Sequence, residues 1–126
     1  MEKEQKKTIL IIEDDHDVLF AFVRYFKMSG YGVIIAEDGM EGLRKIEEGG
    51  YDIVVTDIVM PFVSGVGVVT TLKEQRPEIP VIAITGYGKE PEAAAMEKEA
   101  DLVLAKPVKM STLKDHVTNL LKDIEA

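Results

Sequence analysis

Cysteine is absent from the sequence, which excludes disulfide bonds and thiolate metal sites. Long apolar runs are absent too. Apolar runs such as residues 9–12 and 66–69 fall far short of the roughly 20 residues of a membrane-spanning helix. The charged N-terminal residues lead directly into an apolar run, without the hydrophobic segment of a signal peptide. These absences favour a cytoplasmic protein that does not insert into membranes.

Positive charge is scarce relative to negative charge. The chain has 15 Lys and Arg residues against 23 Asp and Glu residues, which gives a formal net charge of −8. A field of that sign opposes nucleic acid and anionic lipid, so we expect no direct nucleic-acid binding. The acidity has two explanations, solubility alone or a carboxylate cluster that binds a cation. Composition does not distinguish them, but the positions of the acidic residues do.

Apolar residues make up 46% of the 126 residues, enough for one domain with a core on two sides of a sheet. Five short runs are apolar at every position and rich in β-branched residues, which is typical of strands that are buried on both faces. These runs are residues 9–12, 33–35, 53–55, 81–84 and 102–104. They predict the five strands of a parallel sheet.

Segments with apolar residues at helical spacing separate the strand-like runs, and residues 113–124 carry a clear stripe. The weakest stripe belongs to residues 90–100, where Pro91 suits a first helical turn. Gly30, Gly32 and the pair at 49–50 mark helix ends. Five strands alternating with five helices predict an α/β fold, with a doubly wound parallel sheet between two layers of helices.

Polar side chains follow four of the five predicted strands, at the point where each strand ends. They are Glu13, Asp14 and Asp15 after the first strand, Asp57 after the third, Thr85 after the fourth and Lys106 after the fifth. Sites in such folds lie outside the carboxyl ends of the strands. We therefore expect these side chains to share one edge of the sheet.

Phosphoryl transfer to a carboxylate is the chemistry that this set of residues suits. Packed carboxylates raise one another's pKa, and a hard divalent cation with oxygen ligands relieves the repulsion, which indicates Mg²⁺. Asp57 has the position of a nucleophile that forms an acyl phosphate. The Lys106 ammonium would neutralise the transferring oxygens, and the Thr85 hydroxyl would donate to the product phosphoryl group.

Each of these residues taken alone has an ordinary structural explanation. An Asp after a strand is usually a turn residue or a helix N-cap, and Asp17 is a candidate N-cap of the first helix. A Lys-Pro pair is usually a surface loop. Gly65 and Gly67 indicate a flexible loop before or into the third helix. The joint placement of the polar residues at one sheet edge is what favours the functional interpretation.

Four segments resemble the receiver domain of response regulators (CheY-like) in two-component signalling. They are residues 9–15, 54–61, 79–86 and 104–107, which contain Glu-Asp-Asp, Thr-Asp-Ile-Val-Met-Pro, Ile-Thr-Gly and Lys-Pro in family order. The resemblance implies a flavodoxin-like (βα)5 fold in three α/β/α layers. It covers residues 7–123. We expect a polar leader over residues 1–6, a receiver domain over residues 7–124 and no output domain in this chain.

The resemblance assigns a role to each strand-end residue. Asp57 is implied to be the phosphoacceptor, with Asp14 binding Mg²⁺ directly, Glu13 acting through water and Val59 offering its backbone carbonyl. Thr85 is implied to sense the phosphoryl group and Lys106 to pair with it. The implied donor is a phosphohistidine on a sensor histidine kinase or a histidine phosphotransfer protein. Asp15 matches a position that the family does not require.

Three positions depart from the family pattern. Val103 occupies a position where the family often has an aromatic switch residue. Either phosphorylation is read out in a different way, or Tyr87 supplies the aromatic ring. The third explanation is that Val103 is an ordinary strand-packing residue. The family positions that flank the hydrolytic water correspond to Val59 and Tyr87. Neither residue is an amide or a carboxylate that could orient water, so we expect slow self-dephosphorylation.

Two other functions compete with the signalling switch. A Mg²⁺-dependent phosphohydrolase with an aspartyl nucleophile commonly has a second aspartate two residues later, where this chain has Val59. A degenerate receiver used only for docking would lack part of the site, yet all of its expected residues are present. Hydrolysis of a generic phosphate ester tests the first alternative. Labelling by a small phosphodonor tests the second.

Overall fold

The computed structural model describes residues 6–60, 63–86 and 99–125. Its strands are β1 (Thr8–Ile12), β2 (Gly32–Ala36), β3 (Ile53–Asp57), β4 (Val81–Thr85) and β5 (Leu102–Ala105). Its helices are α1 (His16–Met28), α2 (Gly39–Glu48), α3 (Gly65–Gln75) and α4 (Met110–Glu125). The predicted helix over residues 90–100 falls, apart from its last two residues, outside the described part of the chain.

The five strands form one parallel sheet in the order β2-β1-β3-β4-β5. The predicted α/β class and the doubly wound parallel sheet are thereby confirmed. The chain leaves β1 in one direction to reach β2 and crosses back to form β3 on its other side. This reversal places the switch point between β1 and β3, and the crevice for a ligand lies beyond their carboxyl ends.

The core consists of two apolar layers, because successive strand residues point to opposite faces of the sheet. The layer that includes α1 and α4 contains Ile9, Ile11, Ile53, Val55, Leu19, Phe22, Phe26, Leu113 and Val117. The layer that includes α2 and α3 contains Leu10, Ile12, Val54, Ala83, Ile46, Val68 and Leu72. Burial on both faces explains why the strands carry apolar residues at consecutive positions.

The start of α1 differs from the sequence-based expectation. Asp15 is the N-cap, since its Oδ1 accepts hydrogen bonds from the backbone N of Asp17 at 3.0 Å and of Val18 at 3.2 Å. The prediction of Asp17 as the cap is wrong. Asp17 lies in the first turn of the helix, where a negative charge interacts favourably with the helix dipole. His16 is the first residue of the helix.

The start of α3 also differs. Gly65 and Gly67 both lie within α3, with Ser64 as the N-cap, so the prediction of a flexible loop at these glycines is wrong. Gly65 is buried, which indicates close packing instead of backbone freedom. None of the described helices has a stretch long and apolar enough to span a membrane.

Candidate functional site

Three carboxylates meet at the carboxyl edge of the sheet. Glu13 and Asp14 follow β1 and Asp57 ends β3, and β1 and β3 pair side by side with Ile12 opposite Thr56. One carboxylate oxygen from each of the three side chains lies within 4.8 Å of the others. The structure therefore brings together the acidic residues that the sequence places at two different strand ends. Asp15 is not among them because its side chain caps α1.

Burial makes the acidic cluster electrostatically costly. The side chains of Glu13 and Asp57 are only 2% and 6% exposed. Burial, followed by repulsion from the Asp57 carboxylate, raises the pKa of Glu13 from its ordinary value of 4.5 to about 7. A hydrogen bond from the Asp15 backbone N to Glu13 Oε2 opposes this shift. The site therefore holds negative charge that a cation would stabilise.

Lys106 supplies positive charge to the same cluster. Its Nζ lies 3.4 Å from Asp57 Oδ2 and 3.6 Å from Glu13 Oε1. Burial acts to lower the pKa of the Lys106 ammonium, but the Asp57 and Glu13 carboxylates together outweigh burial and raise that pKa. The Lys106 backbone N donates to the Thr85 carbonyl at 2.8 Å, which anchors the residue at the end of β5. The ammonium therefore stays charged beside Asp57.

Thr85 ends β4, the neighbour of β3, and its side chain is buried. Its hydroxyl donates to the backbone carbonyl of Leu104 on β5 at 3.5 Å, the outer limit of a hydrogen bond. A bond of that length is weak. The hydroxyl therefore loses little if it turns to another acceptor.

Val59 lies beside Asp57, and its backbone N donates to Asp57 Oδ1 at 3.3 Å. Its side chain is 53% exposed. Val103 packs on the apolar layer that contains Val81 and Ala83, which agrees with the interpretation of this residue as strand packing. Tyr87 lies outside the described residues.

The sequence-based interpretation missed two residues of the site, Thr56 and Gly65. The Thr56 hydroxyl donates to the Asp57 backbone carbonyl at 3.0 Å, and the backbone N of Gly65 donates to the Ile58 carbonyl at 2.7 Å. A Cβ atom at Gly65 would stand 2.3 Å from the Asp57 carbonyl oxygen. For Thr56, the sequence did contain a signal, because it is a lone hydroxyl residue within an apolar strand, directly before Asp57.

The donor set suits a hard divalent cation. All three convergent side chains offer carboxylate oxygens, and no imidazole or thiolate belongs to the described cluster. Oxygen ligands favour Mg²⁺ or Ca²⁺ over softer metals. One ammonium beside three carboxylates leaves a net negative charge, so the residues present fit a bound cation.

Comparison with known proteins agrees with this geometry. The family model of the response regulator receiver domain matches residues 9–118. Transcriptional regulatory protein PrrA of Mycobacterium tuberculosis is 36% identical over 115 residues, which are 90% of this chain and 49% of PrrA. The CheY-like receiver domain protein of Methanospirillum hungatei JF-1 is 30% identical with a TM-score of 0.91, and the match covers 96% of this chain and 98% of that one.

A further solved structure contains a bound ion. TrrA of Thermotoga maritima, crystallised in complex with Mg(2+)-BeF, is 29% identical with a TM-score of 0.83, over 90% of this chain and 98% of that one. This chain belongs to the response regulator receiver domain family, whose members are signalling domains of two-component systems and not classical enzymes. It spans about half the length of PrrA.

Proposed function

We propose that Asp57 accepts a phosphoryl group from a phosphohistidine on a sensor histidine kinase or a histidine phosphotransfer protein. The observation that carries this proposal is the arrangement around Asp57. Its carboxylate lies within the acidic cluster, with Oδ2 3.4 Å from Lys106 Nζ. A carboxylate with an adjacent ammonium and a cation site has the parts that phosphoryl transfer requires, which are a nucleophile and charge neutralisation.

The metal of this site is proposed to be Mg²⁺, held by Asp14, Asp57 and the Val59 backbone carbonyl, with Glu13 acting through water. The convergence of the three carboxylates supports this assignment, as does the raised pKa of Glu13. The TrrA complex with Mg(2+)-BeF shows that a related domain takes such an ion. Bound Mg²⁺ would supply positive charge to the transferring phosphoryl oxygens.

The transfer step exchanges one bond to phosphorus for another. A carboxylate oxygen of Asp57 forms the new oxygen–phosphorus bond while the nitrogen–phosphorus bond of the donor breaks. The imidazole leaves with that electron pair and takes a proton from water. Lys106 is placed to neutralise the developing charge, because its Nζ already contacts Asp57 Oδ2.

Readout is proposed to begin at Thr85. Its hydroxyl makes only a 3.5 Å bond to the Leu104 carbonyl, so an anionic phosphoryl oxygen on Asp57 is a stronger acceptor. Turning toward that acceptor would shift the population of β4 and β5 conformations that a downstream partner or output domain recognises. Val103 packs as an ordinary strand residue, which supports a readout without an aromatic switch at that position.

We also infer where the switch acts and how its response is passed on. We infer a cytoplasmic location and no membrane insertion. The net charge of −8 opposes direct binding to nucleic acid, so the response passes through a protein partner or an output domain. This chain spans about half the length of PrrA. We therefore infer the output only as a class, a protein partner or an output domain.

Intact-mass spectrometry after incubation with phosphoramidate tests the proposal. We expect the mass of one phosphoryl group to be added in Mg²⁺, and no addition in EDTA or with Asp57→Asn. Asp52→Asn is unsuitable as the control, because Asp52 Oδ2 accepts from the Thr8 backbone N. The exposed Asp115 offers a better one, Asp115→Asn. Labelling that persists in Asp57→Asn would overturn the assignment of the acceptor.

The same preparation separates the competing functions. A domain that only docks would take no label from phosphoramidate under any condition. A phosphohydrolase would turn over a generic phosphate ester such as p-nitrophenyl phosphate, whereas we expect negligible turnover. Transfer from a phosphorylated kinase, compared between the parent and Asp57→Ala, then tests the physiological donor class.

A further inference from the structure

The backbone that follows Asp57 is held at each successive polar atom. The Asp57 carbonyl accepts from the Thr56 hydroxyl at 3.0 Å, and the Ile58 N donates to the Ile84 carbonyl at 3.0 Å. The Ile58 carbonyl accepts from the Gly65 N at 2.7 Å, and the Val59 N donates to Asp57 Oδ1 at 3.3 Å. Buried backbone groups normally have partners, but here the partners also fix the peptide planes next to the acceptor.

Thr56 contributes the first of these contacts from the opposite face of the strand. Its side chain is 0% exposed and lies among apolar neighbours, with Ile12 and Ala83 opposite it on the adjacent strands. A valine would fill the same volume and avoid the cost of burying a hydroxyl. The hydroxyl therefore adds little to packing, and its described hydrogen bond goes to the Asp57 carbonyl.

Gly65 contributes through the absence of a side chain. A Cβ atom there would lie 2.3 Å from the Asp57 carbonyl oxygen and 2.5 Å from the Ile58 Cα. Both are backbone atoms that cannot rotate away. The first turn of α3 can approach the acceptor peptide only because this residue is glycine, and this approach lets the Gly65 N reach the Ile58 carbonyl.

We propose that Thr56 and Gly65 are positioning residues for phosphoryl transfer to Asp57. Thr56 holds the peptide between Asp57 and Ile58, and Gly65 holds the peptide between Ile58 and Val59. Together they set the backbone N of Val59 against Asp57 Oδ1 and leave Oδ2 facing Lys106. The carboxylate is thus aimed before the donor arrives, and small misplacement of a nucleophile slows transfer strongly. This inference rests on the proposed role of Asp57 as the acceptor.

The first experiment compares Thr56→Val with Thr56→Ser. We expect Thr56→Val to reduce the rate of labelling by phosphoramidate at saturating Mg²⁺ by roughly tenfold, while its melting temperature stays at or above that of the parent. Thr56→Ser retains the hydroxyl and should restore most of the rate, although it packs less well. A purely structural role for Thr56 predicts the opposite order, with serine the poorer variant.

The second experiment uses two glycines of the same helix. Gly65→Ala should lower the labelling rate, because the new Cβ displaces the Asp57 and Ile58 backbone. Gly67→Ala is the matched control, since its Cβ would meet only Val63 Cγ1 at 3.4 Å, an ordinary contact. It should label like the parent. If Gly65→Ala does not fold, the Thr56 pair still decides the proposal.

The outcomes separate this inference from the proposed function. Failure of the parent to label on Asp57 would remove the proposed function and this inference together. A parent that labels normally, with Thr56→Val labelling at the same rate, would overturn the positioning role and leave the acceptor role standing. Reduced labelling in Thr56→Val with recovery in Thr56→Ser supports both.

Discussion

The Lys106 ammonium lies 3.4 Å from Asp57 Oδ2, although the two residues are 49 positions apart in the chain. β4 separates β5 from β3, so the lysine side chain reaches across the end of one strand to contact the acceptor. The carboxylates around it hold the pKa of this ammonium above its ordinary value. The contact therefore places a positively charged ammonium beside the carboxylate of the proposed acceptor.

The first prediction concerns this pair. Lys106→Met should lower the rate of Asp57 labelling by roughly 100-fold, because it removes a preorganised positive charge from the transferring oxygens. The exposed Lys109 provides the control, and Lys109→Met should label at the parent rate. Time courses of intact mass with phosphoramidate measure both rates. Equal rates for the two variants would exclude a catalytic role for Lys106.

The second prediction concerns Glu13 and pH in metal-free protein. The folded pKa of about 7 lies above the ordinary 4.5, so ionisation of Glu13 destabilises the folded state. Glu13→Gln should therefore stabilise the protein by about 1–3 kcal/mol above pH 7. The gain should shrink as pH falls from 7 toward 4.5 and vanish below 4.5, where Glu13 is protonated in both the folded and the unfolded state.

Urea unfolding in EDTA at a series of pH values measures this difference. The exposed Glu47 serves as the control, because Glu47→Gln should show no comparable dependence on pH. A stability gain in Glu13→Gln that is constant with pH would show that burial and Asp57 do not perturb Glu13.

The third prediction concerns the metal. Mg²⁺ at about 100 times its dissociation constant should raise the free energy of unfolding by roughly 2.7 kcal/mol at pH 8, because it binds only the folded cluster. Asp14→Asn should abolish most of this gain. Asp17→Asn, in the first turn of α1, should retain it. Thermal melts with and without Mg²⁺ give the comparison, and an unchanged gain in Asp14→Asn would remove that residue from the metal site.

The fourth prediction concerns the capping of α1. Asp15→Ala should cost about 1 kcal/mol of stability, because it leaves the backbone N of Asp17 and Val18 without their acceptor. Asp17→Ala should cost less, since it removes only a favourable charge near the helix dipole. At saturating Mg²⁺ both variants should label at the parent rate. A strong loss of labelling in Asp15→Ala would give Asp15 a role in the site beyond the cap.

The fifth prediction concerns the lifetime of the acyl phosphate. Val59 offers no group that could orient water, so the parent should dephosphorylate slowly. Val59→Asn combined with Tyr87→Glu should speed decay by roughly tenfold or more, because the two substitutions supply an amide and a carboxylate that can orient the attacking water. Decay of the labelled mass after removal of the donor measures the rate. A double variant that decays no faster than the parent would contradict the explanation.

Much of the fold and of the candidate site followed from the sequence. Strands buried on both faces require consecutive apolar residues, and this local pattern located all five strands within a residue or two of their observed bounds. The parallel topology then required the residues after β1 and β3 to meet at one edge. The grouping of Glu13, Asp14 and Asp57 was predictable for that reason.

The details of the site depended on tertiary structure. Asp15 and Asp17 are the same residue type, and either could cap a helix. Only the structure shows that the first backbone N–H groups of α1 donate to the Asp15 side chain. The role of Gly65 depends on how closely α3 approaches β3, and that of Thr56 on where its hydroxyl points. The sequence by itself determined which residues could meet, because apolar periodicity is local. Contacts between elements determined how those residues are held, because close packing is set by the whole fold.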